Sequence, residues 1–325
     1  MTFFLLLIGL LLLLGGGTAL VRGASGIAEQ YGVSPLLVGL TVVAFGTSAP
    51  ELVVNVIGAI RNQTELAFGN VVGSNLANLG LVLCAAALIK PVKIEGQIVR
   101  RELPLLLLGT TVLLVMTLDR FLLDTDAIIS RSDGIVLLLL FCIFVYFTIS
   151  DVLQQRQDPL FDNMREIKSL IPPSLAKTLR GDWIYVGVGI AGLTLGGQLT
   201  ITNGAELAKL LNMSPVVVGM IIVAIGTSLP ELVTSLIAAF KNESDLCVGN
   251  VIGSNIFNCL FVLPISALIR PLTIPEGGIM DILMTLAFSV VLLLVFFYCR
   301  ATMNRQISVV MLLTYIGYMS MRAIA

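Results

Sequence analysis

Apolar runs long enough to cross a bilayer recur down this 325-residue chain, separated by short polar stretches. A hydrocarbon core about 30 Å thick takes roughly 20 apolar residues of helix. The runs predict helices near 3–21, 36–60, 69–89, 103–118 and 134–152, then near 183–201, 215–240, 249–269, 281–299 and 306–321. The predicted class is an all-α polytopic membrane protein with ten transmembrane helices. Between the fifth and sixth runs lies 153–182, with Asp158-Pro159 and Ile171-Pro172-Pro173, the expected connecting loop. The first run has no Lys or Arg before Arg22, so it lacks the basic start of a signal peptide and is expected to remain as a spanning helix.

Two stretches of the chain, each holding two of these runs, are near copies of each other, 180 positions apart. Ser34 to Ile94 aligns with Ser214 to Ile274 without a gap, and 31 of 61 positions are identical. The first copy holds Gly46-Thr47-Ser48-Ala49-Pro50-Glu51 and then Gly69-Asn70-Val71-Val72-Gly73-Ser74-Asn75-Leu76-Ala77-Asn78. The second holds Gly226-Thr227-Ser228-Leu229-Pro230-Glu231 and then Gly249-Asn250-Val251-Ile252-Gly253-Ser254-Asn255-Ile256-Phe257-Asn258. Five helices per copy is an odd number, so the second copy enters the membrane from the opposite side. The expected architecture is two inverted five-helix repeats, 1–152 and 183–325, with motif regions 34–94 and 214–274, joined by the loop 153–182. Such repeats commonly place their binding site at the shared interface near the bilayer midplane.

Charge adds an orientation. The loops that share a side when the N-terminus is outside carry 13 of the 19 Lys and Arg residues, and the other side carries 6. Positive charge stays in the cytoplasm, so both termini are expected outside and the 153–182 loop inside. Overall the chain is 57% hydrophobic and 12% charged, with a mean hydropathy of +1.01. That is about half the charge of a soluble domain. A net charge of −1 without a basic patch gives no reason to expect nucleic acid; the expected partners are the lipid bilayer and inorganic cations. There is no histidine, which removes the usual transition-metal ligand and neutral-pH proton carrier. The five cysteines (Cys84, Cys142, Cys247, Cys259 and Cys299) form no CxxC pair and read as buried small hydrophobes. No cofactor is expected.

The chemistry lies in the duplicated polar residues. Pro50 has no N–H, so the Gly46 carbonyl loses its helical partner, and Pro230 does the same to Gly226. A freed carbonyl in hydrocarbon is costly unless protein, water or an ion satisfies it. Thr47, Ser48, Thr227 and Ser228 add hydroxyls, and Glu51 and Glu231 add carboxylates. This set of hard oxygen donors suits Ca²⁺ or Na⁺. A carboxylate at a helix centre costs on the order of 2.5–3.5 kcal/mol on insertion scales, and no Lys or Arg falls in the apolar parts of the runs to offset it. In the second motif, Gly69 and Gly73, like Gly249 and Gly253, suit close helix packing. Ser74 with Asn78, and Ser254 with Asn258, are four apart and share a helix face. Asn78 and Asn258 read as ligands or as interhelical hydrogen bonders. Asn75 and Asn255 sit about 100° round the helix, where packing or a hinge serves as well as ligation. Asp119, Asp124, Asp126 and Asp133 read as a solvated external loop, and Asp281 as an acid favourable to the start of the ninth helix.

These motifs resemble the two α-repeats of the cation/Ca²⁺ exchanger superfamily, and within it the prokaryotic Na⁺/Ca²⁺ exchanger-like inner-membrane branch. The resemblance implies a secondary antiporter, not an enzyme, that carries Ca²⁺ against Na⁺. It implies that Glu51 and Glu231 are shared between the two ions, and that Thr47, Ser48, Thr227, Ser228, Ser74, Ser254, Asn78 and Asn258 complete the sites. Backbone carbonyls of Ala44 and Ala224 would also face the ions. The first helix of each half would slide over a core of the other eight. Some relatives carry aspartate at the position of Asn258; here both copies have the neutral amide, which leaves two acids in the expected site. The alternatives are a Ca²⁺/H⁺ antiporter using the same glutamates and, less favoured by an inverted repeat within one chain, a cation channel. An intramembrane hydrolase lacks a nucleophile–base pair or metal triad.

Overall fold

A computed structural model describes residues 2–93, 98–118, 128–156, 179–210, 228–298 and 302–324. It is mostly helical. In chain order the elements are α1 (Thr2–Tyr31), α2a (Pro35–Thr47), α2b (Ala49–Ile60), α3 (Thr64–Ile89), β1 (Val92–Lys93), α4 (98–117), β2 (Ile128–Ile129) and α5 (Arg131–Arg156). They continue with α6 (Leu179–Leu210), α7 (Leu229–Phe240), α8 (Ser244–Ile269), β3 (Leu272–Thr273), α9 (Gly278–Tyr298), β4 (Thr302–Met303) and α10 (Arg305–Ile324). Among the described residues, five helices, α1, α3, α5, α8 and α9, are long and apolar enough to span a membrane, and the bent pair α2a–α2b makes a sixth.

Several helices outrun their apolar stretches. α1 continues ten residues beyond the expected end at 21, and α6 runs to Leu210 instead of 201. The reason is mutual support. A Cβ built on Gly9, Gly16 or Gly23 would meet backbone at Thr200, Leu193 or Asp182, so the two helices lie antiparallel with their backbones in contact. The expected loop 153–182 is correspondingly shorter, because α5 persists to Arg156 and α6 starts at Leu179. Residues 157–178 lie outside the described residues, as do Asp119, Asp124, Asp126 and Cys299.

The turns between paired helices are the same in both copies. Asn62 and Asn242 adopt φ of 62° and 64°, the left-handed conformation asparagine tolerates. Gln63 N–H then donates to the Gly58 carbonyl at 2.8 Å, and Glu243 N–H to the Ala238 carbonyl at 2.9 Å, closing each helix with a Schellman pairing.

The main core gathers large apolar side chains from α3, α4, α8, α9 and α10, including Phe68, Leu79, Leu83, Leu103 and Leu260. A second cluster joins α1, α6 and α7. At the helix ends, β1 pairs antiparallel with β4, and β2 with β3. Arg131 donates to the Leu268 and Ile269 carbonyls at the end of α8, and Arg305 to the Ile89 carbonyl at the end of α3. These cations meet the negative ends of the helices they cap. Two expectations change here, and one holds. Asp133 is not a free loop acid but accepts from Ser130 N–H at 2.8 Å at the start of α5. Asp281 begins α9 as expected, and is also paired with Arg322 at 3.1 Å and with Tyr318. Cys84, Cys247 and Cys259 are buried, whereas Cys142 is exposed on α5.

Candidate functional site

The site begins at the break in the second span. Ser34 caps α2a by accepting the Leu37 N–H at 3.2 Å, with Pro35 in the first turn. At Ser48 the backbone leaves helical geometry (φ −87°, ψ 5°), and α2b departs at 44° to α2a. The missing N–H of Pro50 explains the break. Ser228 has the same backbone conformation (φ −88°, ψ 8°) ahead of Pro230 and α7. Ala224, Gly226 and Thr227 lie outside the described residues.

The helix after each of these serines holds the glutamate in its first turn: Glu51 in α2b and Glu231 in α7. Unpaired N–H groups and the positive end of the helix dipole there favour a carboxylate. Both glutamates are wholly buried, at 0% exposure. The halves meet at this point, because Ser48 Oγ donates to Glu231 Oε1 at 2.9 Å. Thr47 Oγ1 lies 3.0 Å from Asn250 Oδ1 and 3.4 Å from Ser254 Oγ. Asn250 Nδ2 in turn donates to Ser235 Oγ at 3.0 Å and reaches the Glu231 carbonyl at 3.4 Å. The Ala44 carbonyl, expected to face ions, accepts the Ser48 N–H at 3.0 Å and lies 3.3 Å from the Thr47 hydroxyl.

The amides of the second motif divide their work. Asn75 Nδ2 donates to the Asn255 carbonyl at 3.3 Å and Asn78 Nδ2 to Asn255 Oδ1 at 3.2 Å, so these residues tie α3 to α8. Asn78 and Asn258 each open a π-helical turn, Asn78–Val82 and Asn258–Val262, at matching positions of the two copies. Such bulges recur at functional sites. α7 packs on the first of these turns and α2b on the second, so each asparagine stands beside the other half's glutamate helix. Ser74 and Ser254 are buried on the same helices. Gly249 and Gly253 are packing residues, since an added Cβ would lie 2.6 Å from the Leu36 and Leu40 carbonyls respectively. Gly69 and Gly73 have nothing within 4 Å among the described residues.

What remains is a set of buried, unpartnered oxygens. Among the described residues, both carboxylate oxygens of Glu51, Oε2 of Glu231, Oδ1 of Asn78, Oδ1 of Asn258 and Oγ of Ser228 are buried without a hydrogen-bond partner. Leaving such groups unsatisfied costs about 1–3 kcal/mol each, and more when charged. Their hardness and number match a Ca²⁺ shell of about 6–8 oxygens. Three residues of this neighbourhood escaped the sequence reading: Asn250, Ser235 and Asn55. Asn250 stands inside the repeated Gly-Asn step, and Asn55 and Ser235 stand one helical turn beyond each glutamate, where the four-residue spacing was the available signal.

Buried oxygen donors on duplicated motifs, beside a broken second span, are what an integral membrane carrier of hard cations needs. Comparison with known proteins makes this specific. Residues 1–150 and 182–323 match the sodium/calcium exchanger protein family. The putative antiporter CaxA of Alkalimonas amylolytica is 35% identical over 96% of this chain and 95% of its own length. The inner membrane protein YrbG of Escherichia coli K12 is 36% identical over 82% of this chain and 79% of its own. The structure of the sodium-calcium exchanger NCX_Mj soaked with 10 mM Na⁺ superposes with a TM-score of 0.82 at 28% identity, covering 98% of both chains. The chain belongs to the sodium/calcium exchanger family. It is a transmembrane cation/Ca²⁺ antiporter, and its family is one of transporters, not of catalysts.

Proposed function

We propose that this protein exchanges Ca²⁺ for Na⁺ by alternating access, with the two ions competing for Glu51 and Glu231. The observation that carries the reading is the pair of wholly buried carboxylates with three unpartnered oxygens between them. Thr47, Ser48, Thr227, Ser228, Ser74, Ser254, Asn78, Asn258 and the Ala44 and Ala224 carbonyls are the remaining ligands. Two acids and no third give a charge of −2, which one Ca²⁺ or two Na⁺ neutralise. An empty site keeps that charge, and a doubly charged cavity resists crossing a low-dielectric barrier, which favours exchange over leak.

The same reading takes the chain as two inverted five-helix repeats, 1–152 and 183–325. Antiparallel α1 and α6, the crossed strand pairs β1–β4 and β2–β3, and the reciprocal caps from Arg131 and Arg305 support it. So do two further crossed contacts, Arg270 Nη1 to Asn62 Oδ1 at 2.6 Å and Lys90 to Asn242, in which Asn242 and Arg270 stand at the positions of the second copy equivalent to Asn62 and Lys90 of the first. The membrane is a bacterial inner membrane, with both termini outside and the 153–182 loop in the cytoplasm.

Proteoliposomes loaded with Na⁺ and diluted into ⁴⁵Ca²⁺ test the proposal. Wild type takes up Ca²⁺; Glu51→Gln and Glu231→Gln lose uptake altogether. Normal uptake by either variant sinks the assignment. The same two carboxylates could instead exchange Ca²⁺ for protons, and uptake driven by a pH gradient without Na⁺ selects that alternative.

A further inference from the structure

The two glutamate helices differ one turn beyond the carboxylate. α2b and α3 form an antiparallel hairpin through the Asn62 turn, and an added Cβ on Gly58 would lie 3.7 Å from Ala67 Cβ. One helical turn closer to Glu51, the same register sets Asn55 opposite Asn70. In the matching hairpin of α7 and α8 those positions are Ser235 and Asn250, and they hydrogen-bond at 3.0 Å. A serine at 55 would repeat that closed contact. Asparagine does not. Asn55 is wholly buried, yet neither its Oδ1 nor its Nδ2 has a partner, and Asn70 Nδ2 is unpartnered too. Glu51, four residues back on the same helix face, also has both oxygens free of protein partners.

We infer that Asn55 Oδ1 and one oxygen of Glu51 form an accessory subsite for a partly hydrated hard cation, on the Asn62-turn side of the central site. An amide carbonyl beside a carboxylate is a suitable pair of ligands for Ca²⁺ or Na⁺, with water completing the shell. Asn70 Nδ2 is placed to hold the water or to orient the Asn55 amide. The other route, towards Asn242, has Ser235 and Asn250 closed on each other and offers no such stop. The two access routes are therefore unequal: a cation pauses at Asn55 on one side and reaches the carboxylates directly on the other.

The inference rests on the exchange proposed above, and its test separates the two. Ca²⁺ KM is measured at each membrane face in right-side-out and inverted vesicles. The Asn62 face is identified by impermeant maleimide labelling of an Arg61→Cys variant. Asn55→Ser, which installs the residue of the other hairpin, is expected to raise the Ca²⁺ KM on the order of 5-fold at the Asn62 face and to leave the opposite face unchanged. Asn55→Asp, which keeps an oxygen and adds charge, lowers KM at that same face and decides the matter if the serine variant does not fold. An unchanged KM, or equal changes at both faces, overturns the subsite while leaving exchange intact. Absence of Ca²⁺ exchange in wild type overturns both.

Discussion

The α1–α6 seam and the α3–α8 crossing both pair helices from opposite halves of the chain, and they are built from opposite materials. At the seam, Gly16 and Gly23 of α1 face backbone of α6, and Gly189 and Gly196 face backbone of α1. Along the apolar stretch of α1 only 33% of residues are buried. In α3 and α8 the buried shares are 72% and 78%, and the contact is made by interlocked side chains and by the Asn75–Asn255 and Asn78–Asn255 hydrogen bonds. Interdigitated side chains resist sliding, because every step empties one set of holes before filling another. Glycine seams present a smoother surface, and they also let the two backbones travel as one unit. The difference fits the expectation that the α1–α6 pair moves over the core that carries the oxygens.

Tethering tests this division most severely. A Cβ on Gly17 would lie 3.0 Å from Val233 Cγ1 of α7, within reach of a disulfide between the pair and the core. In a background without the native cysteines, Gly17→Cys with Val233→Cys should stop exchange on oxidation and regain it on reduction. Val92→Cys with Met303→Cys, bridging the paired strands β1 and β4 inside the core, should leave flux intact. Flux that survives the first bridge dismantles the comparison. A smaller effect is expected from Leu79→Ala. Leu79 is fully buried in the π-turn that Asn78 opens, so its loss should cost about 2–5 kcal/mol. A clear fall in the thermal midpoint checks this, and an unchanged midpoint would mean the core is not the rigid partner.

Much of this division was legible in the sequence, and the reasons are physical. Within the described residues the apolar runs are helical, the second of them broken at Ser48, as expected where a membrane forces backbone groups to pair internally. The break at Ser48 followed from Pro50. The burial of Glu51 and Glu231 followed from their position in apolar runs without a basic partner. Other features had no local signal. The π-turns at Asn78 and Asn258 depend on how α3 and α8 cross, and a one-residue widening leaves no mark on composition. The extension of α1 to Tyr31 reflects support from α6, which lies far away in sequence. Asn250 looked like one polar residue among several in its motif. Only the three-dimensional packing showed that it links Thr47 to Ser235 and the Glu231 backbone.

The smallest expected effect isolates the seam on a single helix. Gly187 and Gly189 are two residues apart in α6 and share a propensity, but Gly187 is exposed and Gly189 is buried. An added Cβ at Gly189 would lie 2.6 Å from the Leu20 backbone nitrogen, whereas at Gly187 it meets nothing within 4 Å among the described residues. Alanine at 187 removes a glycine from a helix interior and should stabilise by roughly 0.5–1 kcal/mol. Alanine at 189 gains the same amount but must push α1 away, and overpacking of this kind costs typically about 1–3 kcal/mol. The two variants should therefore move the thermal midpoint in opposite directions, with slowed ⁴⁵Ca²⁺ exchange for Gly189→Ala alone. Equal shifts would mean that α1 and α6 yield to one another freely, and the close backbone contact would then have no part in making them a single moving unit.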